Sequence, residues 1–222
     1  MKRREPSSAE ILDALPTALP VFPLMGIVLL PGGRLPLNIF EPRYLAMVDD
    51  ALGQGRMIGI IQPTTEEDSV ANPPLYHVGC AGRIVSFSET DDGRYLINLQ
   101  GLCRFHVAEE LASQSDYRRV RPDWRKFTGD VGPEEEGAFD RDRLMAVLRP
   151  YFKAQDIAAD WNAVQNTGDE ALISSLAMIC PLEPSEKQAL LEARSLRARA
   201  KLLIALLEMA SLPQQDAESV RH

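Results

Sequence analysis

The sequence is poor in features that form covalent cross-links or cross a membrane. Its three cysteines, Cys80, Cys103 and Cys180, are odd in number and far apart, which predicts reduced thiols rather than a disulfide framework. Prolines and Arg34 interrupt the longest apolar stretch, so no segment reaches membrane-spanning length. The basic start at residues 1–4 is not followed by the apolar core of a secretory signal. A cytoplasmic protein without a membrane partner is therefore expected.

Motifs of nucleotide-dependent and hydrolytic enzymes are missing as well. No G-x-x-x-x-G-K-[ST] phosphate loop and no G-x-S-x-G nucleophile turn occurs in the sequence. The GQG run at 53–55 lacks a third glycine at the spacing of a dinucleotide loop. Two histidine–cysteine pairs have odd spacings that a strand would send to opposite faces: His77 with Cys80, and Cys103 with His106. The sequence therefore predicts no catalytic residue, no cofactor and no metal site.

Composition indicates an ordinary globular chain. Hydrophobic residues make up 45% and charged residues 25% of the 222 positions, which is enough for one or two real cores. The net charge of −8 argues against a general binder of polyanions, although a local basic patch remains compatible with it.

The stretch from 19 to 52 changes its periodicity within a short span. Apolar runs at 19–22 and 27–30 end at prolines and predict buried strands. Alternation over 35–40 predicts a further strand after the Pro-Gly-Gly turn. At Glu41-Pro42 the apolar spacing becomes helical, and it predicts a helix with one buried face up to residue 52.

The stretch from 56 to 127 is typical of antiparallel strands. Residues 56–62 form a compact apolar strand, and Asp92-Gly93 predicts a hairpin with a type I′ turn. Alternation continues over 95–107, where Gly101 permits a bend or bulge. One more strand is predicted over 117–127.

The remainder of the chain is predicted to be helical. Gly, Glu and Pro at 129–137 indicate a linker. Ser185 with Gln188 has the form of a capping box that opens one long helix from Glu186 to about Ala210, with Ala189, Leu196 and Leu203 in its buried stripe. We therefore predict five segments: a flexible arm at 1–18, a β-rich subdomain at 19–128, the linker at 129–137, a helical subdomain at 138–211 and a flexible tail at 212–222.

Several of these motifs together resemble the N-terminal substrate-binding domain of the ATP-dependent Lon proteases. They are LPVFPL at 19–24, LLPGGRLPLNIFEPRY at 29–44, VGCAGRIV, DDGRY, LQGLCRFHV and PLEPSEKQALLEA. The sequence is especially similar to small bacterial proteins that carry this domain alone. The resemblance implies an α+β fold in which a β-rich pseudo-barrel of the LON type, similar to PUA modules, precedes an α-helical subdomain.

The same resemblance implies binding rather than catalysis. A full-length Lon protease carries an ATPase domain and a Ser/Lys dyad downstream, and this chain ends before either, so its peptidase activity is not carried over. The implied partners are unfolded or partly unfolded proteins and peptides, whose apolar segments the protein would hold. It would serve as an adaptor or partner in ATP-dependent proteolysis.

Five residues of the matched stretch are candidates for contact with a bound peptide: Phe22, Ile39, Phe40, Arg43 and Tyr44. An extended peptide could lie against them in an apolar groove or along an open sheet edge. The alternative is purely structural, because an apolar or aromatic helix face is usually part of a core.

A runner-up hypothesis rests on residues 117–127, YRRVRPDWRKF. Basic residues interleaved with aromatics can hold phosphates and stack bases, so an RNA-binding PUA-like module is the alternative function. The simpler interpretation is an edge strand whose arginines and Pro122 discourage pairing with another chain. Because the whole chain is acidic, nucleic acid is not expected to be the main partner.

Overall fold

The structure, a computed structural model, describes residues 8–65, 72–112, 116–132 and 139–211. The tail at 212–222 and most of the linker, residues 133–137, lie outside these ranges, as do the first seven residues of the arm. Within the described ranges, no helix is long and apolar enough to cross a membrane.

Six strands and seven α-helices make up the described chain. The strands are β1 (Leu19–Pro23), β2 (Arg34–Ile39), β3 (Met57–Ile61), β4 (Val78–Glu89), β5 (Tyr95–Leu111) and β6 (Arg118–Asp123). A 3₁₀ helix spans Arg125–Val131. The α-helices are α1 (Ser8–Asp13), α2 (Pro42–Gly53), α3 (Arg141–Ala154), α4 (Trp161–Asn166), α5 (Asp169–Ile179), α6 (Pro184–Glu192) and α7 (Leu196–Ala210).

Five strands close into a ring. β1 pairs in parallel with β3 and antiparallel with β6, and β4 joins β3 to β5. The second half of β5 pairs with β6 and completes the ring. β2 lies outside it, antiparallel to the first half of β5. This mixed sheet with its helices is an α+β fold, which confirms the predicted fold class.

Gly101 marks the place where β5 changes partner from β2 to β6. Ala81 is paired with Cys103 and Gly82 with Gly101, so the β4–β5 register skips Leu102 as a bulge. The Gly101 N–H donates to the Gly33 carbonyl oxygen at 2.9 Å. A Cβ at position 101 would collide with the Leu30 carbonyl oxygen, so only glycine fits this approach.

The ring encloses a core to which each of its strands contributes. Buried apolar side chains from the five strands and from the residue after β6 pack together: Leu19, Val21, Met57, Ile61, Ala81, Cys103, Phe105, Val120 and Trp124. The Phe105 and Trp124 rings meet edge to face at 5.8 Å. Inward-facing alternation on every strand is what makes one continuous core possible.

Residues 8–16 of the predicted arm include a helix and contact the ring. Residues 8–13 form α1, and Leu12 and Leu15 pack against the ring core. The Trp124 indole N–H donates to the Pro16 carbonyl oxygen at 3.2 Å. The polar composition of this arm gave no indication that two of its leucines, both half-buried, pack against the ring core.

Other local predictions were also wrong. Residues 27–30 form no strand, although Val28, Leu29 and Leu30 are buried; they cross the sheet where Gly82 and Gly101 leave space for them. The strand predicted over 117–127 ends at Asp123 and continues as the 3₁₀ helix. The 92–93 hairpin is present, but Asp92 does not share the positive φ of Gly93, and the Gly93 N–H donates to the Thr90 carbonyl oxygen at 2.9 Å, so the turn is not of type I′.

The predicted long helix is two helices, α6 and α7. The Ser195 hydroxyl accepts from the Ala198 N–H at 3.2 Å and begins α7. Leu196 and Leu203 are buried as predicted, whereas Ala189 is exposed. At the start of α6 the Glu186 carboxylate, not Gln188, reaches back to a backbone N–H, that of Glu183, at 2.9 Å.

Contacts divide the chain into two compact units. The first unit contains residues 1–134 and 174–192, and the second contains 135–173 and 193–222. This differs from the predicted division, which assigned all of 138–211 to one helical subdomain. Buried amides explain the difference, because Gln188 donates to the Val78 carbonyl oxygen at 3.1 Å and Gln62 donates to that of Pro184 at 2.9 Å.

The second unit is built on α3, α4, α7 and the first residues of α5. Arg141 donates to Asp169 at 2.7 Å and to three carbonyl oxygens at the end of α4. It therefore satisfies groups that a helix end leaves without partners. Buried side chains of α3 and α7, including Leu144, Leu148 and Leu203, form its core.

Candidate functional site

The five predicted peptide-contact residues lie at the end of β1 and at the junction of β2 with α2. The Phe22 ring packs on the Tyr44 ring with centroids 4.1 Å apart. The Arg43 guanidinium lies 4.6 Å from the Tyr44 ring centroid, and its Nε donates to Glu41 at 2.9 Å. Pro42 opens α2 because its fixed φ suits a first helical position.

Burial separates these five residues into two groups. Phe22, Ile39 and Tyr44 are buried. Burial raises the pKa of the Tyr44 hydroxyl above its usual value, and the nearby Arg43 charge offsets only part of that increase. Phe40 is 62% exposed, and Arg43 is exposed as well. Of the candidate set, Phe40 and Arg43 are therefore the ones that a partner could contact directly.

Three further exposed apolar side chains lie on the neighbouring strands, beyond the set taken from the sequence. They are Val85 (46% exposed) and Phe87 (40%) on β4 and Leu96 (45%) on β5. Together with Phe40 we call them the hairpin-tip surface. The signal that locates them is their nearness to the hairpin turn, where the sheet extends beyond its core.

The two sides of the hairpin-tip surface differ. Phe87 is the register partner of Ile97, and its ring meets the Tyr95 ring edge to face at 4.9 Å. Leu96 points to the opposite side, where its register partner on β2 is Asn38. Phe40 follows Asn38 by two residues, so alternation directs Phe40 and Leu96 to the same side of the sheet.

The outer edge of β2 has no strand partner among the described residues. Because Gly101 donates to Gly33, alternation directs the N–H and C=O groups of Arg34, Pro36 and Asn38 away from β5. Pro36 lacks an N–H, so this edge offers three acceptors but only two donors. Such an edge can take an extended segment, but only through an incomplete hydrogen-bond ladder.

The basic stretch of β6 is partly neutralised by β5. Arg118 pairs with Glu110 at 2.6 Å and Arg121 pairs with Glu109 at 2.9 Å. Arg118 lowers the pKa of the Glu110 carboxyl through its hydrogen bond and its charge. This arrangement matches a strand paired within its own sheet, and it leaves less positive charge for phosphates than the sequence suggested.

The histidines and cysteines of β4, β5 and the segment before β4 do not come together as a group of metal ligands. The His77 and His106 rings stack with centroids 5.6 Å apart, while Cys80 and Cys103 are buried. Burial raises the pKa of the Cys103 thiol to about 12, far from that of a reactive thiolate. Within the part of the chain that the structure describes, no three His, Cys, Asp or Glu residues are grouped as metal ligands.

Comparison with known proteins identifies the fold and the family. Residues 18–209 match the model of the ATP-dependent protease La (LON) substrate-binding domain. Lon protease 2 of Myxococcus xanthus is 30% identical over 200 residues, which is 88% of this chain and 24% of that protein. Lon protease of Methylocella silvestris is 31% identical over 217 residues, or 94% and 26%. The chain thus spans about a quarter of the length of these relatives.

Two solved structures of Lon N-terminal domains have the same fold. A Lon N-terminal domain protein from Xanthomonas campestris superposes with a TM-score of 0.61 at 24% identity, over 85% of this chain and 98% of that one. The N-terminal domain of Mycobacterium avium complex Lon protease gives a TM-score of 0.56 at 16% identity, over 86% and 98%.

The five-stranded ring with its additional strand and helices defines a fold of the Lon N-terminal class. The chain belongs to the LON substrate-binding domain family. Its relatives match it only over that substrate-binding domain, which is non-catalytic.

Proposed function

We propose that this protein binds unfolded or exposed apolar polypeptide segments and leaves them uncleaved. The observation that supports the proposal is the hairpin-tip surface. Four of the six large apolar side chains that are exposed in the described chain lie on this one part of the sheet. Exposed apolar residues are normally scattered singly, whereas Phe40 and Leu96 share one side of the sheet next to the open edge of β2, as residues of an interaction surface do.

An extended segment would bind next to the open edge of β2. The outward backbone groups of Arg34, Pro36 and Asn38 would give it some of the hydrogen bonds of a ladder, while Phe40 and Leu96 would contact its apolar side chains. Arg43, beside Phe40, would add a charged contact. Because Pro36 removes one donor, the complex would be reversible, in about the micromolar range.

This mode of binding suits an adaptor or partner in ATP-dependent proteolysis. Binding through a sheet edge and a few apolar contacts requires that the segment be unfolded, but it requires no particular sequence. A client held in this way keeps the remainder of its chain accessible to a protease. Association with a Lon-type protease is therefore part of the proposal.

Calorimetry tests the proposal with a permanently unfolded protein, its folded parent and added ATP. We expect binding of the unfolded form alone, with a negative heat-capacity change from buried apolar surface and with no effect of ATP. Phe40→Ser/Leu96→Ser should weaken binding about tenfold, since each removes an apolar contact. Ile179→Ser is the matched control, because Ile179 is 61% exposed but lies at the end of α5.

Equal affinity for folded and unfolded forms, or cleavage of either, would refute the proposal. An equal loss in the Ile179→Ser control would show that the hairpin-tip surface is not the site. A salt-sensitive complex with RNA that Arg118→Ala/Arg119→Ala/Arg125→Ala abolishes would favour the nucleic-acid alternative instead.

A further inference from the structure

A second surface with different chemistry lies in the second unit, between the start of α3 and one side of α7. It encloses a cavity of about 260 Å³. Its lining includes three apolar residues, Phe139, Ile204 and Ala205, and three basic residues, Arg143, Arg197 and Lys201. We call it the basic groove. No residue of the hairpin-tip surface takes part in it.

The charge of the groove is opposite to that of the whole chain. Three basic side chains and one acidic side chain, Asp140, line the groove, whereas the chain carries a net charge of −8. Asp140 is already engaged as the cap of α3, where its carboxylate accepts from the Arg143 N–H at 2.9 Å. The start of α3 is therefore satisfied, and attraction for an anion comes from the basic side chains.

The three basic side chains differ in whether they already form an ion pair. Arg143 holds Glu208 through two nitrogens, Nε at 3.0 Å and Nη2 at 2.8 Å. Arg197 and Lys201 are exposed, and no ion pair or hydrogen bond of their side chains occurs within the described residues. Cations next to apolar lining residues favour a ligand that brings both carboxylate and apolar groups.

Spacing indicates what kind of ligand this would be. Arg197 and Lys201 are four residues apart on one helix, so they are separated by a rise of about 6 Å. Two carboxylates at positions i and i+4 of a second helix have the same rise, and apolar residues at i+3 and i+7 lie beside them on the adjoining face.

We propose that the basic groove binds an acidic amphipathic helical segment of a partner polypeptide. Two of its carboxylates pair with Arg197 and Lys201, and its apolar residues cover Phe139, Ile204 and Ala205. This is helix-in-groove recognition, in contrast to the extended segment at the hairpin-tip surface. The basic groove thus gives the protein a second binding site with its own selectivity.

Fluorescence anisotropy with two labelled peptides tests this proposal on the full chain. One peptide carries Glu at positions i and i+4 with Leu at i+3 and i+7, and the other has Gln in place of Glu. We expect the Glu peptide to bind more tightly and to weaken with rising salt. Arg197→Glu/Lys201→Glu should reduce its affinity by roughly tenfold, because two attractions become repulsions. Lys153→Glu, an exposed charge reversal at the other end of α3, should leave it unchanged.

The outcomes separate this site from the hairpin-tip surface. Phe40→Ser/Leu96→Ser should leave the Glu peptide bound, and Arg197→Glu/Lys201→Glu should leave the unfolded client bound. If charge reversal impairs folding, Arg197→Gln/Lys201→Gln replaces it as the test variant, because it only neutralises the two charges and should still weaken binding of the Glu peptide. Equal affinity for both peptides, or an equal loss with Lys153→Glu, would overturn the proposal. So would binding of phosphatidylserine vesicles or single-stranded RNA in place of the Glu peptide.

Discussion

At the scale of single residues, Arg104 and Asp130 form a buried ion pair in the first unit. The Arg104 guanidinium donates to the Asp130 carboxylate through Nε at 2.9 Å and Nη2 at 2.7 Å, and Nη1 donates to the Leu191 carbonyl oxygen at 2.9 Å. It also lies 4.6 Å from the Phe127 ring centroid. The paired side chains are only 6% and 7% exposed, so neither charge has water as an alternative partner.

Asp130→Asn should destabilise the protein by about 3 kcal/mol, because it leaves the buried Arg104 charge uncompensated. Chemical denaturation followed by circular dichroism measures this loss as a lower midpoint. Asp91→Asn, at the exposed hairpin turn, removes the same charge where it is solvated and should change stability by less than about 0.5 kcal/mol. Equal midpoints for the two variants would contradict a structural role of the Asp130 pair.

Sequence reasoning reached some of these residues and missed others for physical reasons. Phe40 was selected as a binding candidate, but its neighbours Phe22 and Tyr44 have the same apolar character and are buried. Only the position of the hairpin tip distinguishes exposed from buried apolar residues. Asp130 belongs to a segment that its composition marks as a linker, and composition carries no information about a partner 26 residues earlier in the chain.

At the scale of elements, the change of partner along β5 depends on the glycine at its bulge. Gly101→Ala should destabilise the protein by about 3 kcal/mol, since the new methyl group meets the Leu30 carbonyl oxygen and backbone must move. Thermal unfolding measures this effect. Gly53→Ala is the matched control, because nothing lies within 4 Å of the added carbon at the end of α2. The Gly53→Ala control should be neutral or slightly stabilising. If Gly101→Ala were equally harmless, the close approach of residue 101 to the Leu30 carbonyl oxygen would be excluded.

Strands were easier to predict than their connections. Alternation located β2 and the first half of β5, because more and less buried residues alternate there with a period of two. The break between α6 and α7 was missed because apolar residues continue through it at helical spacing. What ends α6 is the short segment before Ser195, whose hydroxyl caps α7. Side-chain caps depend on backbone conformation, which a periodic pattern does not encode.

At the scale of the whole molecule, the first unit needs a distant part of the chain. A fragment of residues 1–134 lacks α6, and with it the partners of the Gln62 amide, which is fully buried. We expect this fragment to be much less stable than the full chain, because buried polar groups would lose their hydrogen bonds. Trp124 is its only tryptophan and reports its unfolding by fluorescence.

Addition of a synthetic peptide covering 174–192 should raise the midpoint of that fragment in proportion to the logarithm of peptide concentration. A peptide of the same composition in scrambled order is the control. A fragment as stable as the full chain, or one indifferent to the peptide, would show that α6 is dispensable to the barrel.

The closure of the ring by β1 and β6 also determines when folding can finish. Leu19 pairs with Val120, so the first strand has to wait for a partner that lies about one hundred residues further along the chain. Contacts of such high order slow folding, which for ring-like β topologies takes roughly milliseconds to seconds. During synthesis at about 5–20 residues per second, β1 remains without its β6 partner for several seconds after it leaves the ribosome. The nascent chain therefore passes through a state in which an apolar strand has no partner, and pairing of that strand with another chain is the main hazard at this stage.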